Sequence, residues 1–387
     1  MNAHTPSDTT LVASLSIGET GPTVAIKDCI DIAGFVTGCG SEAFASTAPA
    51  EKNAVVVDNL LATGCRIIGK ANMHELAFGM TGVNGFTGTP INPNWPDRIP
   101  GGSSSGSAVA VASGLCDFAV GTDTGGSIRQ PATCCGIIGI KPTFGRISRE
   151  GLIPSESSLD CVGAFARDMN MLNTAMEAID PTFKRESLVH APRLRRIKSE
   201  GVDLEVGDPL VFALMDAYPD MPYETLPSFD AAFDAGMVVM SYEMAKAFGD
   251  MLDQGAPFGP DIAKRLAAAQ KITDVQLAEA EAIRERFTAE VDALLEGYDA
   301  LVTPSLPTVP PTLEDAKDPQ NVLSLTRYQR PFNLSGHPAI TLPTRSNAGL
   351  PIGLQIIGRK GEDEKLCAIA SWISSCIPLF QSKDHTQ

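Results

Sequence analysis

Gly101-Gly102-Ser103-Ser104-Ser105-Gly106-Ser107, followed by Gly121-Thr122-Asp123-Thr124-Gly125-Gly126-Ser127-Ile128-Arg129, sets two loops dense in glycine and serine 24 positions apart, counted from Ser103 to Ser127. Glycine lets a backbone pass close to a ligand and adopt angles closed to other residues. Serine carries a hydroxyl that becomes a nucleophile when a base takes its proton. An apolar run at 108–115 and a strand-like Phe118-Ala119-Val120 join the two loops. The pattern predicts a cavity built around an activated serine.

Ser127 is the nucleophile candidate. Gly125 and Gly126 precede it, so their N–H groups can stand beside its hydroxyl. It is also placed to open a helix, where unpaired N–H groups favour a developing negative charge. Candidates for the base are few. His4 and His385 fall in tails, His190 in a charged stretch, and His74 and His337 suit structural roles equally well. Lys27 is the better candidate, because it leaves the apolar Val24-Ala25-Ile26. Desolvation drives a lysine there toward its neutral, proton-accepting form. Serine–lysine pairs are a recognised variant of the catalytic triad.

The neighbouring residues read differently. Lys141, before Pro142 at a strand end, is expected to be structural, and Asp123 with Arg129 to form an ion pair that holds the loop. Cys134 and Cys135 lack a basic neighbour and read as buried thiols. Ser104, Ser105 and Ser107 are expected to bond the backbone. Met80, Thr81 and the loop beyond them are expected to wall the pocket.

Farther out, the first half alternates strands and helices. Val24-Ala25-Ile26 reads as a strand, 54–62 as a helix closed by Gly64, and 65–69 as a short buried strand. A helix is expected to start over 73–78 with Asn72 as N-cap. A long loop spans 81–100, a buried helix 107–113 and a strand 136–140. Charged amphipathic helices dominate 167–296, most clearly 275–295. Strands return at 300–304, 339–343 and 353–358, with a proline-rich loop at 304–311 and a closing helix at 362–374. This order predicts an α/β fold: one domain over 1–387, with a core of 20–168 and 298–376 and an inserted helical region at 169–297.

Composition narrows the function. The chain has 387 residues, 43% of them hydrophobic, and a net charge of −16. That charge argues against nucleic acid as partner. No apolar run reaches the ~18 residues of a membrane span, and from the polar start at 1–10 no secretory signal is expected. Nine cysteines without a CxxC pair point to reduced thiols and a cytoplasmic location. No histidine stands near two cysteines, so no zinc is expected, and no other metal or organic cofactor. A nucleotide-binding module would need a Gly-Lys-Ser/Thr ending that neither loop has.

Taken together these stretches resemble the amidase signature family. Both loops, with Pro131-Ala132, Cys135-Gly136, Lys141-Pro142-Thr143 and Gly145, are similar to its long signature. Val24-Ala25-Ile26-Lys27-Asp28 is similar to its lysine motif, and Gly69-Lys70-Ala71-Asn72-Met73-His74-Glu75 to the segment after it. Phe332-Asn333-Leu334-Ser335-Gly336-His337-Pro338-Ala339 and Gly349-Leu350-Pro351-Ile352-Gly353-Leu354-Gln355 resemble two later segments. Ser105 departs from a glycine common in the family. The resemblance implies an amidase-signature fold, with a central mixed β-sheet covered by helices on both faces. It implies Ser127 as nucleophile, Ser103 as bridging serine after a cis Gly102–Ser103 bond, and Lys27 as base. The N–H groups of Thr124, Gly125, Gly126 and Ser127 would hold the oxyanion, and an acyl-enzyme would form. The partner implied is a small-molecule amide, with a homodimer as candidate assembly. The compact middle and the run 97–107, beginning Asp97-Arg98-Ile99-Pro100, resemble small-molecule amidases of the indole-3-acetamide hydrolase type. The alternative is the A-type subunit of an amidotransferase that works with partner subunits on charged transfer RNA.

Overall fold

The strand Thr23–Lys27 divides its side chains by alternation: Val24 and Ile26 enter one apolar core and Ala25 another. Successive strand residues face opposite sides of a sheet, so this sheet is covered on both. The computed structural model describes residues 9–381; residues 1–8, His4 among them, and His385 lie outside.

The described residues form an eleven-stranded sheet. Its strands are β1 (Leu11–Gly18), β2 (Thr23–Lys27), β3 (Arg66–Ala71), β4 (Phe118–Asp123), β5 (Ile138–Lys141), β6 (Cys161–Ala166), β7 (Leu194–Ile197), β8 (Tyr223–Glu224), β9 (Ala300–Pro304), β10 (Ala339–Arg345) and β11 (Pro351–Ile357). The order across the sheet is β1-β3-β2-β4-β6-β5-β10-β11-β9-β7-β8. β2 runs parallel to β3 and β4, and β7 parallel to β8 and β9. The remaining pairs are antiparallel, so the sheet is mixed.

The helices are α1 (Val55–Ala62), α2 (Ser105–Ala112), α3 (Arg129–Cys135), α4 (Met169–Ile179), α5 (Leu204–Ala217), α6 (Phe229–Asp253), α7 (Pro260–Ala269), α8 (Asp274–Leu295), α9 (Gln320–Leu323), α10 (Arg330–Leu334) and α11 (Asp363–Cys376). One face packs Leu60 of α1, Leu172 and Met176 of α4 and Ile369 of α11 against Val24, Ile26, Val120 and Ile340. The other packs Val109 and Val111 of α2 and Ala132 of α3 against Ala25, Ala119 and Phe165. Farther along that second face, Val239 of α6 and Phe287 and Val291 of α8 cover Leu301 and Ile357. Each fully buried Ile, Leu or Phe side chain contributes about 1.5–3 kcal/mol. This is the expected amidase-signature α/β architecture. Among the described residues no helix is long and apolar enough to cross a membrane.

Three local readings change. No α-helix starts at Met73: the segment makes one 3-10 turn, Glu75–Ala77, with Leu76 at φ 53° and Ala77 at φ 56°. Asn72 does not cap it. Its amide donates to Thr9 O (2.8 Å) and Gly88 O (3.0 Å), tying the chain's start to the loop that follows. The segment 169–297 is not wholly helical, since β7 and β8 extend the sheet from it. In β7 the flanking Leu194 and Ile197 are buried, while the guanidinium groups of Arg195 and Arg196 lie over the Tyr298 and Tyr223 rings. The edge strand β1 adds a strand that no apolar run announces, because its residues alternate between half-buried and exposed.

Candidate active site

Lys27 closes β2 between two parallel neighbours, and no part of it reaches solvent. Its Nζ lies 2.7 Å from Ser103 Oγ and 2.8 Å from Thr122 Oγ1. Among the described residues no carboxylate pairs with it. Burial lowers the amine's pKa, against the weaker opposing pull of Cys29, Asp160 and Asp123. The group is a desolvated amine, hydrogen-bonded to hydroxyls rather than neutralised by an acid.

Ser103 is fully buried and follows a cis Gly102–Ser103 bond. Its carbonyl accepts the His74 N–H (2.9 Å), and Gln130 Oε1 accepts the Gly102 N–H (2.8 Å). Ser104 Oγ donates to Thr122 O (3.2 Å) and Ser107 Oγ to Val120 O (3.1 Å), as expected. Ser105 does not follow them. Its hydroxyl, at the first position of α2, is buried without a partner among the described residues.

Asp123 and Arg129 fix the second loop. Asp123 Oδ1 accepts the Gly126 N–H (2.7 Å), and Oδ2 accepts those of Ile128 (3.2 Å) and Arg129 (3.3 Å). Arg129 Nε and Nη2 each donate to Asp123 at 2.9 Å. The other donors of Arg129 reach Gln329 O, Gln355 Oε1 and Asn333 Oδ1. All five guanidinium N–H groups thus have acceptors. Burial alone would raise the Asp123 carboxyl, but Arg129 and the Asn333 amide hold it well below the usual carboxylate range. The pair is structural, as the sequence suggested.

This bonding places Ser127 half-buried on the wall of a cavity of about 240 Å³. Its carbonyl accepts the Ser104 N–H (3.3 Å), which joins the two loops. Its hydroxyl forms no hydrogen bond among the described residues, so Lys27–Ser103 is the link made in this form and Ser103–Ser127 is not. Gly126 stands at φ 118°, and a Cβ there would meet Gln329 Oε1 at 2.3 Å. Because Asp123 takes its N–H, Gly126 has none to offer an oxyanion. Gly125 lines the cavity, and the N–H groups of Gly125 and Ser127 have no acceptor within the described residues. Thr124 turns its hydroxyl to Asp160 Oδ1 (2.9 Å).

Met80 lines the cavity, together with Ala77, Phe78 and Gly79. Thr81 does not line it: its hydroxyl accepts the Val83 N–H (3.3 Å) and sits 3.5 Å from His74 Nδ1. The opposite wall escaped the sequence reading. It comes from Met237, Met240 and Ser241 of α6, Arg265, Ala268 and Ala269 of α7, and Thr326 and Arg330. Spacing of three and four along α6 was the available signal, but nothing in the sequence says which face of that helix meets the serine loops. Glu75, buried, holds the wall in place. Its carboxylate accepts Ser41 Oγ (2.6 Å) and the N–H of Gly259, the residue that caps α7.

The remaining candidates are structural. Burial pulls His74 down to about 4, and likewise His337, which contacts Ser335 and Asp292. Lys141 is buried and donates to Pro142 O (2.9 Å). Burial pushes the Cys134 and Cys135 thiols up, away from nucleophilic thiolate. Among the described residues no cluster of three or more His, Cys, Asp or Glu is placed to hold a metal ion.

The amidase family model matches residues 20–193 and 193–367. The A-type subunit of glutamyl-tRNA(Gln) amidotransferase from Methanospirillum hungatei JF-1 is 32% identical, over 89% of this chain and 90% of that protein. Amidase 1 of Oryza sativa subsp. japonica is also 32% identical, over 89% and 88%. The crystal structure of the corresponding glutamyl-tRNA(Gln) amidotransferase subunit from Thermotoga maritima superposes with a TM-score of 0.80 at 28% identity, covering 96% of this chain and 89% of that one.

Proposed function

The chain belongs to the amidase family and acts on C–N amide bonds; from that premise we propose that residues 1–387 work as one amidase domain, hydrolysing the amide of a small molecule to a carboxylate and ammonia or an amine. The observation that carries this reading is the 2.7 Å contact between Lys27 Nζ and Ser103 Oγ, buried beneath a cavity onto which Ser127 opens.

The mechanism follows from that contact. The neutral Lys27 amine takes the Ser103 proton, and Ser103 takes that of Ser127 when the two hydroxyls meet in the reacting complex. Ser127 Oγ bonds to the amide carbon. The oxyanion turns to the N–H groups of Gly125 and Ser127, donors already fixed before charge develops. The proton returns through Ser103 to the leaving nitrogen, the C–N bond breaks and an ester on Ser127 remains. Water, deprotonated by the same relay, cleaves that ester. Ser127→Ala should lower turnover of every amide by about 10³-fold or more. Wild-type rates in that variant would refute the mechanism.

Within the family the small-molecule reading rests on a cavity of about 240 Å³ and on the likeness to plant Amidase 1. The stretch 97–107 resembles the indole-3-acetamide hydrolase type, but Arg98 there turns to Pro310 O, away from the cavity. A second reading, an A-type subunit of an amidotransferase, is favoured by the likeness to the Methanospirillum protein. Purified chain that hydrolyses small amides unaided supports the first. Activity that appears only with partner subunits and charged transfer RNA supports the second.

A further inference from the structure

Arg129 and Arg330 are both buried arginines beside the serine loop, and they differ in one respect. Arg129 has an acceptor for every donor, including a carboxylate. Arg330, 2% exposed, has no carboxylate within ion-pairing distance among the described residues. Its Nη2 donates to Thr326 Oγ1 (2.9 Å), while its Nε is buried with no acceptor. Its guanidinium carbon lies 4.2 Å from the centre of the Phe233 ring. The acid that acts on it through space, Asp234, is exposed and out of contact.

The neighbours leave room for this side chain. A Cβ on Gly236 of α6 would stand 2.9 Å from Arg330 Cγ, so only glycine lets α6 pass there. Arg330 Nε lies 3.5 Å from where a Cβ on Gly125 would be, two residues before Ser127. The same arginine lines the cavity onto which Ser127 opens. A buried cation without a counter-ion is costly, and a planar guanidinium matches a carboxylate with two parallel hydrogen bonds. Arg265, the other cation on the wall, is more exposed and already paired with Asp261 (2.8 Å).

Resting on the amidase reading, we propose that Arg330 binds a carboxylate of the substrate, making the substrate class the monoamides of short dicarboxylic acids. The nearness of Arg330 to the Ser127 loop sets a short acyl chain between the two groups.

The test pairs each acid amide with its uncharged isostere: malonamate with propanamide, succinamate with butanamide, glutaramate with pentanamide. For at least one pair, wild-type kcat/KM should favour the acid by tenfold or more. Arg330→Met should cut that ratio at least tenfold, chiefly through the KM of the acid, and Arg330→Lys should restore part of it. Should Arg330→Met not fold, the wild type still decides. The dicarboxylate products should slow labelling of Ser127 by a fluorophosphonate, and their dimethyl esters should not. Equal rates on acids and isosteres, or a ratio that survives Arg330→Met, would overturn the assignment while leaving the amidase reading intact. No turnover of any amide, with Ser127 unlabelled, would instead defeat the amidase reading and this inference with it.

Discussion

Lys27 and Lys141 are both sealed from solvent, and desolvation pulls both amines below their ordinary value. What separates them is the partner. Lys141 donates hydrogen bonds to the Pro142 carbonyl and to Cys161 Sγ, whereas Lys27 meets a serine hydroxyl that can pass it a proton. The Lys27 amine must be neutral to act, so kcat/KM should rise with pH through its lowered pKa and level off above it. Stability should follow with a defined sign. The unfolded amine, with a pKa of about 10.4, holds a proton the folded amine has shed. Unfolding therefore takes up a proton between the two values, and raising the pH through that window favours the folded state. Lys27→Met lacks this term. The melting-temperature difference, wild type minus Lys27→Met, should become more positive as pH rises from 7 to 10. A difference that is flat or shrinks would mean that the folded amine keeps its proton.

At the scale of elements, Asp123 at the end of β4 is the joint where that strand, α3 and α10 meet, through Arg129 and Asn333. Asp123→Asn leaves Arg129 buried without its counter-ion, and breaking such a pair costs about 3–5 kcal/mol. Because the folded carboxyl is held low, its contribution is complete above the unfolded value of about 3.9 and is lost as pH falls through the folded one. Denaturant melts should show the full gap between wild type and Asp123→Asn at pH 7, narrowing only in strong acid. This joint was legible in the sequence because its residues are near neighbours in one loop: Asp123, Gly126 and Arg129 are spaced three apart. β2, β9 and β10 were legible from their apolar runs, and α8 from its periodicity. Glu75 was not, since a lone acid among apolar residues says nothing of a helix N-terminus far along the chain. Met73–Phe78 misled for a related reason. Its composition is helical, but tertiary bonds of Asn72 and Glu75 override local propensity.

Over the whole molecule, two charge patterns oppose each other. The chain carries −16 overall, while the cavity that Ser127 faces holds a cation, Arg330, with no carboxylate partner among the described residues. Net charge acts at a distance, on the approach of a ligand, and is screened by salt. Arg330, itself buried, acts at contact and is screened far less. An anionic amide therefore meets repulsion outside and attraction within. Salt should relieve the first more than it weakens the second. Between about 10 mM and 150 mM, where the Debye length falls from about 30 Å to about 8 Å, kcat/KM for a carboxylate-bearing amide should rise severalfold, and that for its uncharged isostere should not move. Steady-state kinetics across that range decides the matter. A fall in the acid's kcat/KM would mean that the local field at the cavity mouth, with Arg265 in it, outweighs the charge of the whole chain.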